Sequence, residues 1–251
     1  MIYLLLDLGN TRLKWFIEED GDLINCGAIA NNELMQTEWL GVDAWGLADL
    51  VFACSVSDVR FLDRVKSHLV SRGLRLDYVA ESEACGGGVV NAYSDYKKLG
   101  VDRWLALLAA KAKSDEAFCV IDCGSAVTMD FVGSDGAHHG GYIMPGLRLL
   151  SASLQSSTFQ IGSAFQESLL LLAPGKSTAA CVSGGVAWYI KSIDFALSAW
   201  MQQKSLQRVN VYLTGGDASI VRTALSMESI MCPRLVVEGL MLQALRRTSE
   251  S

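Results

Sequence analysis

The sequence predicts an α/β protein built from two like domains. Three observations carry that reading. Apolar, strand-like runs alternate with stretches of helical period. The pattern of an apolar run, an acid, a turn of small residues and a second apolar run occurs twice, over residues 2–17 and 118–132. Its landmarks recur at one distance: Asp122 follows Asp7, Gly124 follows Gly9 and Asp135 follows Asp20, each by 115 residues. A fixed offset of this kind marks an internal duplication. The expected domains are residues 1–114 and 115–251, with the two Asp-x-Gly turns on one cleft.

In chain order, residues 2–6 form a buried strand that delivers Asp7 to its end. Gly9-Asn10-Thr11 turns the chain into a return strand over 13–17, and Asp20-Gly21 turns it again into a third strand ending near Ile29. A helix is expected from Asn31 to Trp39 and an apolar strand over 50–56. Ser57 or Asp58 then caps a helix whose Phe61, Leu62, Val65, Leu69 and Val70 share one face. Residues 76–79 read as a short strand, Gly86-Gly87-Gly88 as a flexible break, and Asp102 to Lys113 as a helix. In the second half the strand over 118–121 ends at Asp122, Cys123-Gly124-Ser125-Ala126 is the turn, and 127–132 is the return strand. The strand set ends at Gly140 to Gly146, followed by a helix from Leu147 to Leu154. Residues 178–202 read as a long helix interrupted at Gly184-Gly185. A strand over 209–213 leads into Thr214-Gly215-Gly216-Asp217. Residues 235–237 read as a last strand and 238–247 as a closing helix.

Composition narrows the class. The chain is 51% apolar and 19% charged, enough to pack a core and unlike a disordered chain. Its net charge of −6 disfavours non-specific nucleic-acid binding, which needs a basic face. Seven cysteines without a Cys-x-x-Cys spacing read as reduced thiols. The first apolar run is broken at Asp7 and lacks a basic leader, and no apolar stretch reaches the roughly 20 residues of a membrane span. A soluble, cytoplasmic protein is expected.

The candidate chemistry follows from the paired acids. Two carboxylates at equivalent strand ends, each beside small polar residues, suit a nucleotide with magnesium, which takes a few carboxylates, water and phosphate oxygens. Asn10, Thr11 and Lys14 would line the phosphates, and Ser125 stands at the offset position of Asn10. Thr214-Gly215-Gly216-Asp217 is a third small-residue turn that a ligand could approach closely. Asp102-Arg103 points to a polar acceptor. Asp can cap a helix, but a cation in the first turn opposes the helix dipole, so the pair is better explained by a substrate. The carboxylate would accept a hydroxyl proton while the guanidinium holds an anion. His138-His139 reads as a solvated loop. No Ser-His-Asp arrangement, zinc motif or Walker-type loop is present; neither Gly162-Ser163 nor Gly175-Lys176-Ser177-Thr178 has the required spacing.

Five motifs in order carry a resemblance. They are Asp7-Leu8-Gly9-Asn10-Thr11 with Lys14; Gly100-Val101-Asp102-Arg103-Trp104; Asp122-Cys123-Gly124-Ser125-Ala126 with Thr128 and Asp130; Gly140 to Gly146; and Thr214-Gly215-Gly216-Asp217. Over nearly its whole length the chain resembles the bacterial type III pantothenate kinases. The resemblance implies the fold of the acetate and sugar kinase, Hsp70 and actin superfamily, with two ribonuclease-H-like domains facing a nucleotide cleft. It implies phosphorylation of the primary hydroxyl of pantothenate by ATP, the first step of coenzyme A synthesis. Asp102 would be the general base. The ATP site would comprise Asp7, Leu8, Gly9, Asn10, Thr11, Arg12, Leu13, Lys14 and Ser125, with Asp7 reaching magnesium directly or through water. Tyr93, Gly100, Val101, Asp102, Arg103 and Thr178 would contact pantothenate, and Asp122 would hold a monovalent cation, potassium or ammonium. A homodimer is implied. Many relatives have Thr where this chain has Ser125, which keeps the hydroxyl. The rival readings are another small-molecule kinase of the superfamily and a nucleotide-switched regulator.

Overall fold

A computed structural model describes residues 1–36, 43–157 and 165–249. The chain divides into two units, Met1–Lys113 with Arg234–Ser251, and Ser114–Pro233. The first unit opens with β1 (Ile2–Leu8), β2 (Arg12–Glu19) and β3 (Asp22–Ala30), then α1 (Asn31–Gln36). It continues through β4 (Leu50–Ser55), α2 (Val59–Ser71), β5 (Tyr78–Val79), the small hairpin β6 (Cys85–Gly86) and β7 (Val89–Val90), and α3 (Val101–Lys111). Its main sheet has the order β3-β2-β1-β4-β5, with β1, β2 and β3 antiparallel and β4 and β5 parallel to β1. Period-2 alternation on β1 puts Leu4, Leu6 and Leu8 on one face, where they pack with Phe61, Val65 and Leu69 of α2. Asp58 caps α2, its carboxylate accepting the Arg60 N–H at 2.9 Å.

The second unit repeats the design with β8 (Phe118–Cys123), β9 (Ala126–Val132), β10 (His138–Pro145), α4 (Leu147–Ser157), α5 (Thr178–Gln203), β11 (Asn210–Thr214), α6 (Ala218–Ala224) and β12 (Ile230–Met231). Its sheet order, β10-β9-β8-β11-β12, reproduces the first sheet strand for strand and direction for direction. Cys119, Ile121 and Cys123 face Val186, Ile190, Ile193 and Leu197 of α5. The duplication read from the 115-residue offset is therefore a duplication of topology. The offset does not hold throughout. The turn after β8 is one residue shorter than the turn after β1, so Lys14 corresponds in register to Thr128, 114 residues on. A longer loop between β9 and β10 restores 115 at Asp135. Asp20-Gly21 is a two-residue turn with φ of 51° and 92°, whereas five residues separate Val132 from His138.

Several expectations are corrected. Residues 235–237 are helical and begin α7 (Leu235–Ser249); the last strand is β12. The β-branched pair Val236-Val237 suggested a strand, but packing along α3 decides the conformation. With α7 the closing segment belongs to the first unit, not to a second domain running to residue 251. α5 is continuous through Gly184-Gly185: Gly184 is buried, and a Cβ there would stand 3.3 Å from the Leu171 carbonyl oxygen. Gly86-Gly87-Gly88 is not a break but a hairpin, with Gly87 and Gly88 at φ of 52° and 80°. α3 starts at Val101 after an N-cap at Gly100, so Asp102 is inside the first turn. Trp39, the expected end of α1, and Gly162-Ser163 lie outside the described residues.

The α3–α7 contact is close because Gly239 has no side chain. A Cβ there would come within 2.5 Å of the Leu105 carbonyl carbon. Backbone cannot retreat as a side-chain tip can, so Gly239→Ala is expected to cost about 2 kcal/mol. Urea unfolding should show a lowered midpoint; an unchanged midpoint would mean that the helices are not in backbone contact.

Candidate active site

In the first unit the site begins as a row across three strands. Asp7 on β1 is in register with Lys14 on β2 and with Cys54 on β4. Paired residues share a sheet face, so the three side chains meet. Lys14 Nζ lies 3.3 Å from Asp7 Oδ2, and the Cys54 thiol donates to Asp7 Oδ1 at 3.8 Å. Asp7 is only 7% exposed, a burial that the Lys14 ammonium makes tolerable. Burial pushes the Cys54 thiol well up, and the carboxylates of Asp7 and Asp102 push it further. Asp102 thus shares the electrostatic neighbourhood of the strand-end acid.

The start of α3 explains why Gly precedes Val-Asp-Arg. The Asp102 carboxylate folds back to accept the Arg103 N–H at 2.8 Å, and a Cβ on Gly100 would stand 2.6 Å from Asp102 Oδ1. Arg103 is buried to 7% exposure, donates to the Tyr93 hydroxyl at 3.1 Å and lies 5.8 Å from that ring's centroid. Tyr93, Gly100, Asp102 and Arg103 therefore come together. Asn91 was not singled out in the sequence, yet it knits this corner. Its Oδ1 accepts the Tyr93 N–H at 3.0 Å and its Nδ2 donates to the Glu83 carbonyl at 3.1 Å. Glu83 is in turn clamped by Arg246 and Arg247 of α7. The signal available was Asn two residues before Tyr, an Asx-turn spacing.

In the second unit the matching row is Thr214, Asp122 and Thr128 on β11, β8 and β9. Small residues crowd it. A Cβ on Gly215 would approach Asp122 Oδ1 to 2.5 Å, and one on Gly146 would meet the Gly124 carbonyl oxygen at 2.6 Å. Gly215 also has φ of 92°, so two constraints require glycine there. Ser125 occupies the shorter turn, its carbonyl accepting the Gly146 N–H at 3.2 Å. Asp217 pairs with Arg148 at 3.1 Å. Thr178 opens α5 behind its Ser177 cap.

The histidine expectation is overturned for His138, while His139 is exposed as expected, though on a strand and not a loop. His138 is buried, with Nε2 2.9 Å from the equally buried Asp130 Oδ1, and His139 Nδ1 accepts the Trp200 indole N–H at 3.2 Å. A turn-like sequence concealed a strand, β10, whose first residue points inward. Among the described residues no group of three or more His, Cys, Asp or Glu side chains is placed to hold a metal ion. No described helix is long and apolar enough to cross a membrane. The carboxylate at each strand end is the donor type that hard cations take, with phosphate and water completing their shell.

Two units of one strand order, each with a carboxylate at the end of its central strand beside a small-residue turn, define the actin-like ATPase and sugar-kinase fold class. Solved structures share it. A Campylobacter jejuni protein described as a Baf family transcriptional activator superposes with a TM-score of 0.63 at 20% identity, covering 99% of this chain and 100% of that one. The activator of the 2-hydroxyisocaproyl-CoA dehydratase from Clostridium difficile, with bound ADPNP, superposes with a TM-score of 0.58 at 14% identity, covering 100% and 96%. Sequence comparison is narrower. The type III pantothenate kinase family model matches residues 3–195. The type III pantothenate kinase of Marinobacter nauticus is 34% identical, covering 99% of this chain and 98% of that one. The chain belongs to the type III pantothenate kinase family. It is an ATP-dependent kinase that converts pantothenate to phosphopantothenate, the first step of coenzyme A biosynthesis.

Three buried thiols give the fold a pH dependence. Burial first, then nearby carboxylates, raises Cys54, Cys119 and Cys123 above the ordinary 9.0. Above that pH the unfolded chain releases thiol protons that the folded chain keeps. Stability is therefore full below about pH 9 and falls as pH rises, by up to about 1.4 kcal/mol per pH unit for each thiol. Urea unfolding between about pH 8 and 10 should show this fall, and Cys123→Ala should remove about one proton from the slope. A slope identical to that of the parent chain would contradict it.

Proposed function

We propose that Asp102 is the general base of the pantothenate kinase reaction and that residues 7–14 hold the ATP phosphates. The observation that carries this reading is the corner at the start of α3, where the Asp102 carboxylate accepts the Arg103 N–H at 2.8 Å and the buried Arg103 guanidinium donates to the Tyr93 hydroxyl at 3.1 Å, a base and an anion-holding cation side by side. Asp7, Leu8, Gly9, Asn10, Thr11, Arg12, Leu13 and Lys14 form the phosphate wall, and Ser125 of the second unit adds a hydroxyl to the nucleotide. Tyr93, Gly100, Val101 and Arg103 bind pantothenate, with Arg103 on its carboxylate and Tyr93 orienting the guanidinium; Thr178 is a further contact. Asp102 aligns the primary hydroxyl and takes its proton late, because the transition state is loose and positioning dominates.

Magnesium brought with ATP neutralises phosphate charge, and Asp7 holds it directly or through water. Asp122 holds a monovalent cation, potassium or ammonium. Support comes from its place: Asp122 ends the central strand β8, in register with Thr214 and Thr128 and beside the small-residue turn at Gly124. Asp102→Asn should abolish phosphopantothenate formation and leave ATP affinity within about twofold, since the amide keeps the shape but takes no proton. Near-normal turnover would remove Asp102 from the mechanism. Omitting potassium and ammonium should suppress wild-type turnover; indifference to both would remove the cation role of Asp122.

The active form is a homodimer. Support comes from exposed apolar side chains on the second unit, Trp188 and Phe195 two turns apart on α5. A second copy of the chain covers them. Sedimentation should give a dimer for the wild type and a monomer for Phe195→Asp; a monomeric wild type at assay concentration would refute it.

A further inference from the structure

The phosphate turn has a clamp behind it. Asn31, the residue that follows β3, reaches all three carbonyls of Gly9-Asn10-Thr11. Its side-chain Nδ2 donates to the Gly9 oxygen at 2.9 Å and to the Asn10 oxygen at 3.0 Å. Its backbone N–H donates to the Thr11 oxygen at 2.9 Å. Two carbonyl acceptors in front of one amide settle its orientation, because the flipped amide would set oxygen against oxygen. That orientation has a cost. Asn31 Oδ1 is buried and makes no hydrogen bond among the described residues. An orphaned buried acceptor costs about 1–3 kcal/mol, so the arrangement calls for an explanation.

Peptide planarity supplies one. No peptide in the described chain is cis, so each N–H lies opposite the carbonyl of its plane. Drawing the carbonyls of residues 9, 10 and 11 toward Asn31 turns the N–H groups of Asn10, Thr11 and Arg12 away from it. The turn then shows its N–H groups on one side and hides its acceptor oxygens on the other. The remaining end is pinned by Gly9 N–H donating to the Arg12 oxygen at 3.1 Å. Left free, these carbonyls could rotate toward a bound phosphate and repel it.

We propose that Asn31 is a positioning residue for ATP: it holds back the three carbonyls of the Gly9-Asn10-Thr11 turn so that the turn's N–H groups face the phosphates. The proposal rests on residues 7–14 being the phosphate site. It does not place Asn31 in contact with the nucleotide.

The test compares Asn31→Ala, the isosteric Asn31→Asp, and Asn10→Ala in the turn itself. For each, KM is measured for ATP and for pantothenate, with melting temperature and inhibition by adenosine as competitor. Loss of two hydrogen bonds that order the turn should raise the ATP KM about tenfold in Asn31→Ala. Asn31→Asp should do more, because it offers no donor and adds negative charge beside the phosphates. The pantothenate KM and the adenosine inhibition constant should stay within about twofold, since adenosine lacks phosphate. A purely structural role would move all three constants together. An unchanged ATP KM in both Asn31 variants while Asn10→Ala raises it would overturn the Asn31 proposal alone. An unchanged ATP KM in all three variants would overturn the phosphate-site reading beneath it. Should Asn31→Ala fail to fold, the Asn31→Asp variant decides by the same split.

Discussion

A carboxylate at the end of a water-excluding strand has to be compensated. Asp7 follows Leu4, Leu5 and Leu6, all fully buried, and is itself nearly so. A charge in that position without a partner would cost several kcal/mol. Strand register supplies the partners, Lys14 on one side and Cys54 on the other. The second unit repeats the strand and the acid but flanks Asp122 with Thr214 and Thr128. One frame thus carries two different sets of neighbours in register. The first sets Lys14 and Cys54 in register with its carboxylate, and the second sets two threonines there.

The rest of the architecture holds these strand ends still. α2 covers the leucine face of the first sheet and α5 the matching face of the second. On the other face of the first sheet α3 presents Asp102 and Arg103, and α7 fixes α3 through the Gly239 contact. α7 also holds the loop at Glu83, and through Asn91 that loop sets Tyr93 against Arg103. Preorganisation of this kind suits phosphoryl transfer, where placement and charge do most of the work.

Much of this was legible in the sequence because its signals are local. Asp-x-Gly after an apolar run, Asp20-Gly21, and Asp58 before an amphipathic stretch each state a strand end, a turn and a cap within a few residues. The duplicated acids were legible from spacing alone. What escaped was decided by distant partners. Val236 and Val237 are helical because α3 lies beneath them. Gly184 does not break α5 because its neighbours Val182, Ser183, Val186 and Ala187 are buried and hold the helix by packing, and the Leu171 carbonyl lies close over the glycine. His138 is buried because Asp130 waits for it across the hairpin. Asn31 and the Nδ2 of Asn91 act through backbone atoms of other segments, and no local pattern announces such bonds; only the Asx-turn from Asn91 to Tyr93 left a local signal.

The most direct measurement follows the phosphorus atom. With ATP, magnesium, potassium and pantothenate, phosphorus NMR of the wild-type reaction should show one phosphomonoester on the primary hydroxyl appearing as ADP appears, in equal amounts. ADP accompanied only by inorganic phosphate would mean that the nucleotide site works without an acceptor site, and would contradict the account.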